Sequence, residues 1–252
     1  MFWGYQFGEV EVLKESAGSD PAIGPGNFQL IDLDGSGKND VRDALAGGIE
    51  KCLGPTVETE PGAGSGPTAQ GLNTRFGIYN PGNMSETNYP ADWVITANDP
   101  GLQAEDDGTV THDELEVTSD NGDLSTSGSA LYDYNNWVSD SATCTGCDGE
   151  FERRILKIVV GDCTGASGGK QTLPILGYGC FFVLQPVSHS QGGGGGNSGG
   201  GGGGNPAKII GQFIEQCEGD GVAGPTPVED VGPQIIQLYK TYIGIGVPST
   251  DS

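Results

Sequence analysis

The residues best suited to chemistry lie in an acidic turn between a short apolar stretch and a helical pattern. Gly37 stands where a twelve-residue calcium loop bends sharply. The oxygen-bearing side chains that fall at ligand positions of such a loop are Asp32, Asp34, Ser36, Asp40 and Asp43. Hard oxygen ligands at this spacing can surround one Ca²⁺, so the turn is a candidate calcium site.

The same turn also supports a purely structural interpretation. Asn39 occupies the position where a calcium loop normally packs an apolar residue, and Asp43 is shorter than the usual bidentate glutamate. The segment before the turn, 28–31, has a strand pattern and not a helical one. Carboxylates are favoured at a helix N-terminus without any metal. Calcium binding and an Asp/Gly turn that leads into a helix therefore both remain open, and the second is favoured.

Two further segments have the residue types of a metal site. Residues 103–114 place Gly108 and Glu114 in calcium-loop register, but Gln103 at the first position carries no charge. Residues 123–127 match the Asp-x-Ser-x-Ser of a metal-dependent adhesion site, but no apolar strand precedes them. Both segments are weaker candidates than the acidic turn.

Ser167 is the one candidate nucleophile, in the Gly-x-Ser-x-Gly segment 165–169. A nucleophile elbow needs a strand, a sharp turn and then a helix, whereas residues 170–187 read as another strand. The two histidines are His112 and His189, and His189 adjoins the glycine-rich run. A glycine-rich hairpin turn is favoured over a secreted hydrolase, and we expect no catalytic residues and no cofactor.

An even number of cysteines indicates disulfides and an oxidising compartment. The six candidates are Cys52, Cys144, Cys147, Cys163, Cys180 and Cys217. Cys144 and Cys147 form a Cys-x-x-Cys motif in a polar stretch, where a local disulfide or two separate partners are favoured over a redox pair. Six cysteines allow about fifteen pairings, among which the sequence does not choose.

The composition excludes several classes of partner. The 252 residues carry 34 acidic and 11 basic side chains, for a net charge of −23. Such a surface repels phosphate backbones and anionic membranes, so nucleic acid is not an expected partner. No apolar run is long enough to span a bilayer, and the N-terminus lacks the pattern of a signal peptide. We therefore expect a piece of an exported protein whose export segment lies upstream.

The hydrophobic pattern predicts one α+β domain over residues 1–252, dominated by an antiparallel sheet, with two short helices and long loops. The helices are expected at 39–52 and 67–76. Strands are expected at 7–14, 28–31 and 56–59, and then at 151–160, 173–187, 207–216 and 234–239.

Two long stretches lack a periodic pattern. Residues 80–150 are rich in Asp, Asn, Ser, Thr and Gly, and they read as an irregular insertion. Its aromatic residues are expected to dock it onto the domain: Tyr89, Trp93, Tyr132, Tyr134 and Trp137. The glycine-rich stretch 191–205 is expected to be the tip of a long hairpin.

Several short motifs follow one another in a definite order along the chain. The first are Gly26-Asn27-Phe28 with Leu30 and Asp32, then Thr59-Glu60-Pro61-Gly62, Gly66-Pro67-Thr68 and Gly71-Leu72-Asn73-x-Arg75-Phe76. Arg153-Arg154, the segment 175–182, Leu184-Gln185-Pro186, and Gly211-Gln212-Phe213 with Cys217 follow. This order resembles the extracytoplasmic region of Flp (tight adherence, Tad) pilus-assembly proteins of the TadE/TadG-like kind. The likeness covers most of residues 25–240.

The resemblance implies a non-enzymatic component of Flp/Tad pilus assembly or secretion at the cell envelope. In that family one N-terminal transmembrane helix precedes the exported region, which would be periplasmic or on the cell surface. The implied partners are other proteins of the pilus and secretion apparatus, with the membrane reached only through that helix. The alternative is a calcium-stabilised extracellular binding or adhesion domain, which would use the acidic turn.

Overall fold

A computed structural model describes residues 5–15, 27–28, 30–33, 38–47, 53–60, 65–79, 84–105, 107–163, 170–187, 207–215 and 234–236. The helices are α1 (Lys38–Leu45), α2 (Ser65–Asn73) and α3 (Tyr134–Thr143), with a 3-10 turn at Thr74–Phe76. The first seven strands are β1 (Val10–Glu15), β2 (Asn27–Phe28), β3 (Leu30–Ile31), β4 (Thr56–Glu60), β5 (Gln103–Ala104), β6 (Val110–His112) and β7 (Leu115–Glu116). The others are β8 (Thr118–Asp120), β9 (Asp123–Thr126), β10 (Ser129–Ala130), β11 (Ile155–Asp162), β12 (Thr172–Val183), β13 (Lys208–Ile214) and β14 (Gln234–Ile236).

One eight-stranded sheet forms the centre of the described fold. Its main path runs β14-β11-β12-β13-β1-β2, and β4 joins the N-terminal part of β12 and carries β3. Its pairs are antiparallel except β1 with β2, which is parallel. The expected dominance of β structure, with antiparallel sheets and few short helices, is thus confirmed.

Side chains alternate between two buried faces of this sheet. On β12, Phe181 and Val183 point to one face, while Cys180 and Phe182 point to the other. On β13, Ile209 and Phe213 share the first face with Phe181. Because these strands are covered on both sides, side chains that point to either face are apolar. This explains the nearly continuous apolar runs in the C-terminal third of the sequence.

The first face is covered by α1 and α2, which we call the helical layer. Val41 and Leu45 of α1 and Ala69 and Leu72 of α2 pack against the sheet in one buried cluster. These positions follow the helical spacing seen in the sequence. Helix α1 ends at Leu45, earlier than the predicted 52, because Gly47 adopts a positive φ of 81° that ends the helix.

The second face is covered by parts of residues 92–152, which we call the hairpin layer. Two small antiparallel sheets, β5-β6-β7 and β8-β9-β10, and helix α3 bury Leu102, Leu124 and Trp137 against the central sheet. The prediction of an irregular insertion was wrong on this point, since a third helix and six short strands lie within it. Of its expected anchors, Trp137 is buried, and Trp93, Tyr132 and Tyr134 pack partly buried around the same cluster.

The sequence did not predict helix α3 because most of its residues are poor helix formers. Its sequence, YNNWVSDSAT, contains asparagine, serine, threonine and aspartate. Local hydrogen bonds stabilise it instead: Asp133 accepts from the Asn136 amide, and the Asn136 side chain accepts from the Asp133 amide. This capping box and the burial of Trp137 hold a helix that propensity alone does not favour.

Candidate functional site

Three arginines and one aspartate form a buried group, which we call the arginine cluster: Arg75, Arg153, Arg154 and Asp92. None is more than 1% exposed. Arg75 lies in the 3-10 turn after α2, the two consecutive arginines precede β11, and Asp92 lies in the hairpin layer. The fold thereby brings three distant parts of the chain together between the two layers.

Arg75 and Arg153 stabilise the C-terminus of α1. Arg75 Nε donates to the Leu45 carbonyl at 2.8 Å, and Arg153 Nη2 donates to the Ala46 carbonyl at 2.6 Å. The last carbonyls of a helix lack intrahelical partners and carry partial negative charge. Arg75 Nη1 also donates to the Arg153 carbonyl, so these two arginines join α1 to the start of β11.

Arg154 connects the sheet to the hairpin layer. Its Nε and Nη2 donate to the carbonyls of Val183 at 3.0 Å and Leu184 at 2.8 Å, beside β12. Its Nη1 donates to the carbonyls of Val94 at 3.0 Å and Thr96 at 2.8 Å, in the hairpin layer. The rings of Phe76 and Phe182 lie 4.7 and 4.5 Å from the guanidinium carbon, which adds cation–π attraction.

Asp92 is the buried acceptor of the cluster. Its Oδ1 accepts from the Val94 amide and the Trp137 indole, both at 2.9 Å, and its Oδ2 accepts from the Arg154 amide at 3.0 Å. These bonds tie the segment 84–105 to helix α3 and to β11. A buried carboxylate without such donors would be costly, so the three bonds also explain how the charge is tolerated.

Burial shifts the pKa values of the cluster in the directions that desolvation predicts. It lowers the pKa of Arg154 to about 10, partly opposed by Asp92, and it lowers the pKa of Arg75 with a contribution from the neighbouring Arg153. It raises the pKa of Asp92, opposed chiefly by the hydrogen bond from the Val94 amide. Arg154 therefore stays protonated at neutral pH, and its N–H groups donate to backbone carbonyls.

Two glycines of the ordered sequence motifs lie where elements near this cluster pack closely. Gly71 lies where α2 meets α1, and a Cβ there would collide with the Arg42 carbonyl and the Leu45 side chain. Gly211 lies opposite β12, and a Cβ there would collide with the Phe182 carbonyl and the Phe181 ring. Glycine at both positions allows the close approach that the arginines then fix.

Polar motif residues make similar long-range ties. The Asn73 side chain donates to the Val187 carbonyl at 3.1 Å and accepts from its amide at 2.7 Å. Gln212 of β13 is fully buried, and its side chain accepts from the Tyr134 amide and donates to the carbonyls of Gly8 and Gly122. Asn73 thus ties α2 to the sheet, and Gln212 ties the sheet to the hairpin layer.

In the acidic turn, Asp32 binds a lysine. Lys170 Nζ lies 2.7 Å from Asp32 Oδ2 and 3.1 Å from Glu58 Oε2, and the Asp32 side chain is 2% exposed. A calcium ion at Asp32 would have to displace this ammonium group. The geometry therefore favours the structural interpretation of the turn.

The other described residues of the turn lie on α1. Asp43 accepts a hydrogen bond from Arg42 Nε at 2.9 Å, and Asp40 lies in the first turn of the helix. Asp34 and Ser36 lie outside the described residues. Within the described ranges no group of three or more histidine, cysteine, aspartate or glutamate side chains has a geometry that could hold a metal ion.

The weaker motif candidates lie mostly in hairpins. In 103–114, Thr111 donates to Glu105 and Thr109 donates to Asp107, which closes the β5–β6 hairpin. In 123–127, the Asp123 carboxylate accepts from the Asn135 side chain at 2.7 Å. Ser167 and His189 lie outside the described residues.

The cysteines occupy separate regions. Cys144 and Cys147 form a disulfide directly after α3, with Cα atoms 5.8 Å apart. Cys180 on β12 is also disulfide-bonded, and the buried Cys163 directs its Sγ toward the Gly161 carbonyl at 3.7 Å. Cys52 and Cys217 lie outside the described residues. Since Cys144 caps the C-terminus of a helix, it lacks the N-terminal dipole that activates redox Cys-x-x-Cys thiols.

Two aromatic rings, the partly buried Trp93 and the exposed Phe151, lie together beside the buried Trp137, and we call them the aromatic patch. The Trp93 and Phe151 rings are 5.0 Å apart, and Phe151 stacks on the buried Trp137 at 5.5 Å. Phe151 is 37% exposed, and Val138, which follows Trp137 on α3, is 43% exposed. The buried cluster thus continues to the surface at this point.

Sequence reasoning identified Arg75 and Arg153-Arg154 as parts of a motif order but missed their clustering, and it missed the roles of Asp92 and Gln212 altogether. A signal for the arginines was present, since two of only 11 basic residues stand together directly before an apolar strand. In the described part of the chain, no helix has the length and apolar character needed to cross a bilayer. Comparisons with protein-family models, curated proteins and solved structures find no match to this chain.

Proposed function

We propose that this chain is the extracytoplasmic part of a non-enzymatic structural component of Flp/Tad pilus assembly or secretion. The observation that carries the proposal is that residues of several ordered motifs form buried hydrogen bonds between parts of the domain. Arg75 and Arg153-Arg154 do so in the arginine cluster, and Gln212 does so separately, between β13 and the hairpin layer. Motif residues with this role stabilise a fold, and such a structural role is consistent with a resemblance to a non-enzymatic assembly protein.

The proposed mechanism is docking of a rigid domain. The cluster directs its donors to backbone carbonyls of α1, of the residues beside β12 and of the hairpin layer, so buried hydrogen bonds help to fix the relative position of the layers. A surface held this rigidly loses little conformational entropy on binding. In the proposal the full-length protein is anchored in the membrane by an upstream helix and presents this domain to other apparatus proteins in the periplasm or at the surface.

The alternative of a calcium-stabilised adhesion domain has less support. Its first ligand, Asp32, is paired with Lys170 at 2.7 Å. We expect the melting temperature to be the same in millimolar Ca²⁺ and in chelator, and a rise of several degrees with Ca²⁺ would favour the alternative.

The proposal is tested by deleting the full-length gene in its source cell and counting surface pili by electron microscopy. We expect pili to be lost and to return when the wild-type gene is supplied. A control strain carrying Arg42→Gln, a change outside the arginine cluster, is expected to be piliated normally. Normal piliation in the deletion strain would overturn the proposal.

A further inference from the structure

Residues 5–9, directly before β1, contact the sheet and both of its layers, and we call them the N-terminal strap. The Tyr5 ring stacks on the Phe213 ring of β13, with centroids 4.5 Å apart. Tyr5 and Phe7 pack partly buried against the apolar cluster that the sheet shares with the helical layer. The strap therefore begins on the first face of the sheet.

Gly8 joins the strap to β13 and to the hairpin layer. Its amide donates to the Phe213 carbonyl at 2.8 Å, and its carbonyl accepts from Ser119 Oγ of β8 at 2.7 Å and from Gln212 Nε2 at 2.6 Å. Its φ is 82°, and a Cβ at this position would lie 2.6 Å from the Gly122 Cα. Three hydrogen bonds thus converge on a residue whose conformation and close packing favour glycine.

The strap lies at one end of the strand pair β1–β13. These strands run antiparallel, with Val10 opposite Gln212. The N-terminal end of β1 therefore lies beside the C-terminal end of β13. Tension between the chain before the strap and the chain after β13 would separate the two strands from this end, one pair of residues at a time. The first contacts to bear that tension are those of the strap.

We propose that the N-terminal strap is a mechanical clamp that keeps the domain folded when the chain is under tension. The inference rests on the proposed function, in which the domain is anchored on its N-terminal side while other apparatus proteins bind it. Contacts at the end where separation begins must break before the ladder behind them opens. Because the Gly8 carbonyl also accepts from Ser119, the strap passes tension to the hairpin layer as well as to β13.

The test holds the oxidised full chain under constant tension between handles at its N- and C-termini and measures the rate of unfolding. We expect Gly8→Ala to raise this rate about a hundredfold, because several hydrogen bonds weaken together at the loaded end. The matched control is Gly108→Ala, since Gly108 also has a positive φ, 92°, but a Cβ there would meet no heavy atom within 4 Å. The control is expected to raise the rate less than about tenfold.

Ser119→Ala removes one of the three bonds and leaves the backbone unchanged. We expect it to raise the unfolding rate under tension about fivefold, and Ser129→Ala, exposed on β10 in the same layer, to leave the rate within about twofold of wild type. Unfolding in urea without tension can begin elsewhere in the domain. Ser119→Ala is therefore expected to change the unfolding rate in urea less than about twofold.

Equal acceleration by strap and control variants under tension would overturn the proposal, and so would equal acceleration by Ser119→Ala with and without tension. An unfolding rate that neither strap variant changes would overturn it as well. The pilus role is tested separately, because strap variants that behave as expected beside normal piliation of the deletion strain would remove only that role.

Discussion

The helical layer and the hairpin layer cover opposite faces of one sheet, but their buried residues are spaced differently along the chain. The helical layer buries regularly spaced apolar residues such as Val41, Leu45 and Leu72. The hairpin layer also buries apolar residues, among them Leu102, Leu124 and Trp137, but they lie on short strands, loops and one helix, and side-chain bonds from Trp137 to Asp92 and from Gln212 to Gly122 add to their packing. A layer whose buried residues follow a helical period can be recognised in a sequence, whereas one without a common period cannot.

Arg154 bonds both β12 and the hairpin layer and contacts the Phe76 ring beside the helical layer, so Arg154→Gln has the largest expected effect. The shorter, uncharged side chain cannot reach the carbonyls of Val94, Val183 and Leu184 together. We expect a loss of about 3–5 kcal/mol in the free energy of unfolding, measured in urea, because buried acceptors lose their charged donor. Arg42→Gln, at an ion pair nearer the surface, is expected to cost at most about 1 kcal/mol. Equal effects would show that Arg154 has no special role.

A substitution at Gly71 tests the packing of α2 on α1 within the helical layer. Gly71→Ala places a Cβ against the Arg42 carbonyl, and we expect it to cost about 2 kcal/mol as α2 moves away from α1. A Cβ added at Gly66, on the same helix, would meet no heavy atom within 4 Å, so Gly66→Ala is expected to be neutral or to stabilise by about 0.5 kcal/mol. Thermal unfolding of the two variants checks the difference, and a neutral Gly71→Ala would contradict the close helix packing.

Trp137→Phe tests the hairpin layer. It keeps an aromatic ring but removes the indole donor to Asp92, and we expect a loss of about 1–2 kcal/mol in unfolding free energy. Trp93→Phe changes a partly buried ring outside that bond, with an expected loss below about 0.5 kcal/mol. If the two variants were equally stable, the Asp92 bonds would not hold this layer.

The ionisation of Glu11, on β1, is expected to make the free energy of unfolding depend on pH. Burial, with a smaller contribution from Glu9, raises the pKa of Glu11 from 4.5 to about 7. Between these two values the folded state therefore binds more protons than the unfolded state. The contribution of Glu11 to the free energy of unfolding is greatest below pH 4.5, and it decreases as the pH rises from 4.5 to 7. With screening, the fall is on the order of 1 kcal/mol.

Urea unfolding across this pH range checks the prediction. Glu11→Gln is expected to flatten the curve, and Glu116→Gln, an exposed residue on β7, is expected to leave it unchanged. A Glu11→Gln curve parallel to the wild type would mean that other groups cause the slope.

The sequence predicted the parts of the fold that follow a period. The apolar runs at β11, β12 and β13 indicated the antiparallel sheet, and the spacing of Val41, Leu45 and Leu72 indicated α1 and α2. Helix α3 and the short hairpins were not predictable in this way, because their residues favour turns, and local bonds such as the Asp133–Asn136 capping box act together with contacts to the sheet. Apart from the Arg153-Arg154 pair, the arginine cluster has no local signature, since its carbonyl partners are distant in sequence.

The central claim is that the arginine cluster couples the two layers across the sheet. Native-state hydrogen exchange of Arg154→Gln, compared with Arg42→Gln, tests it most directly. We predict that amides of α1 and α2 and amides of α3 and β9 lose protection together, by a similar factor. Loss of protection confined to the hairpin layer, with α1 and α2 unchanged, would contradict the claim.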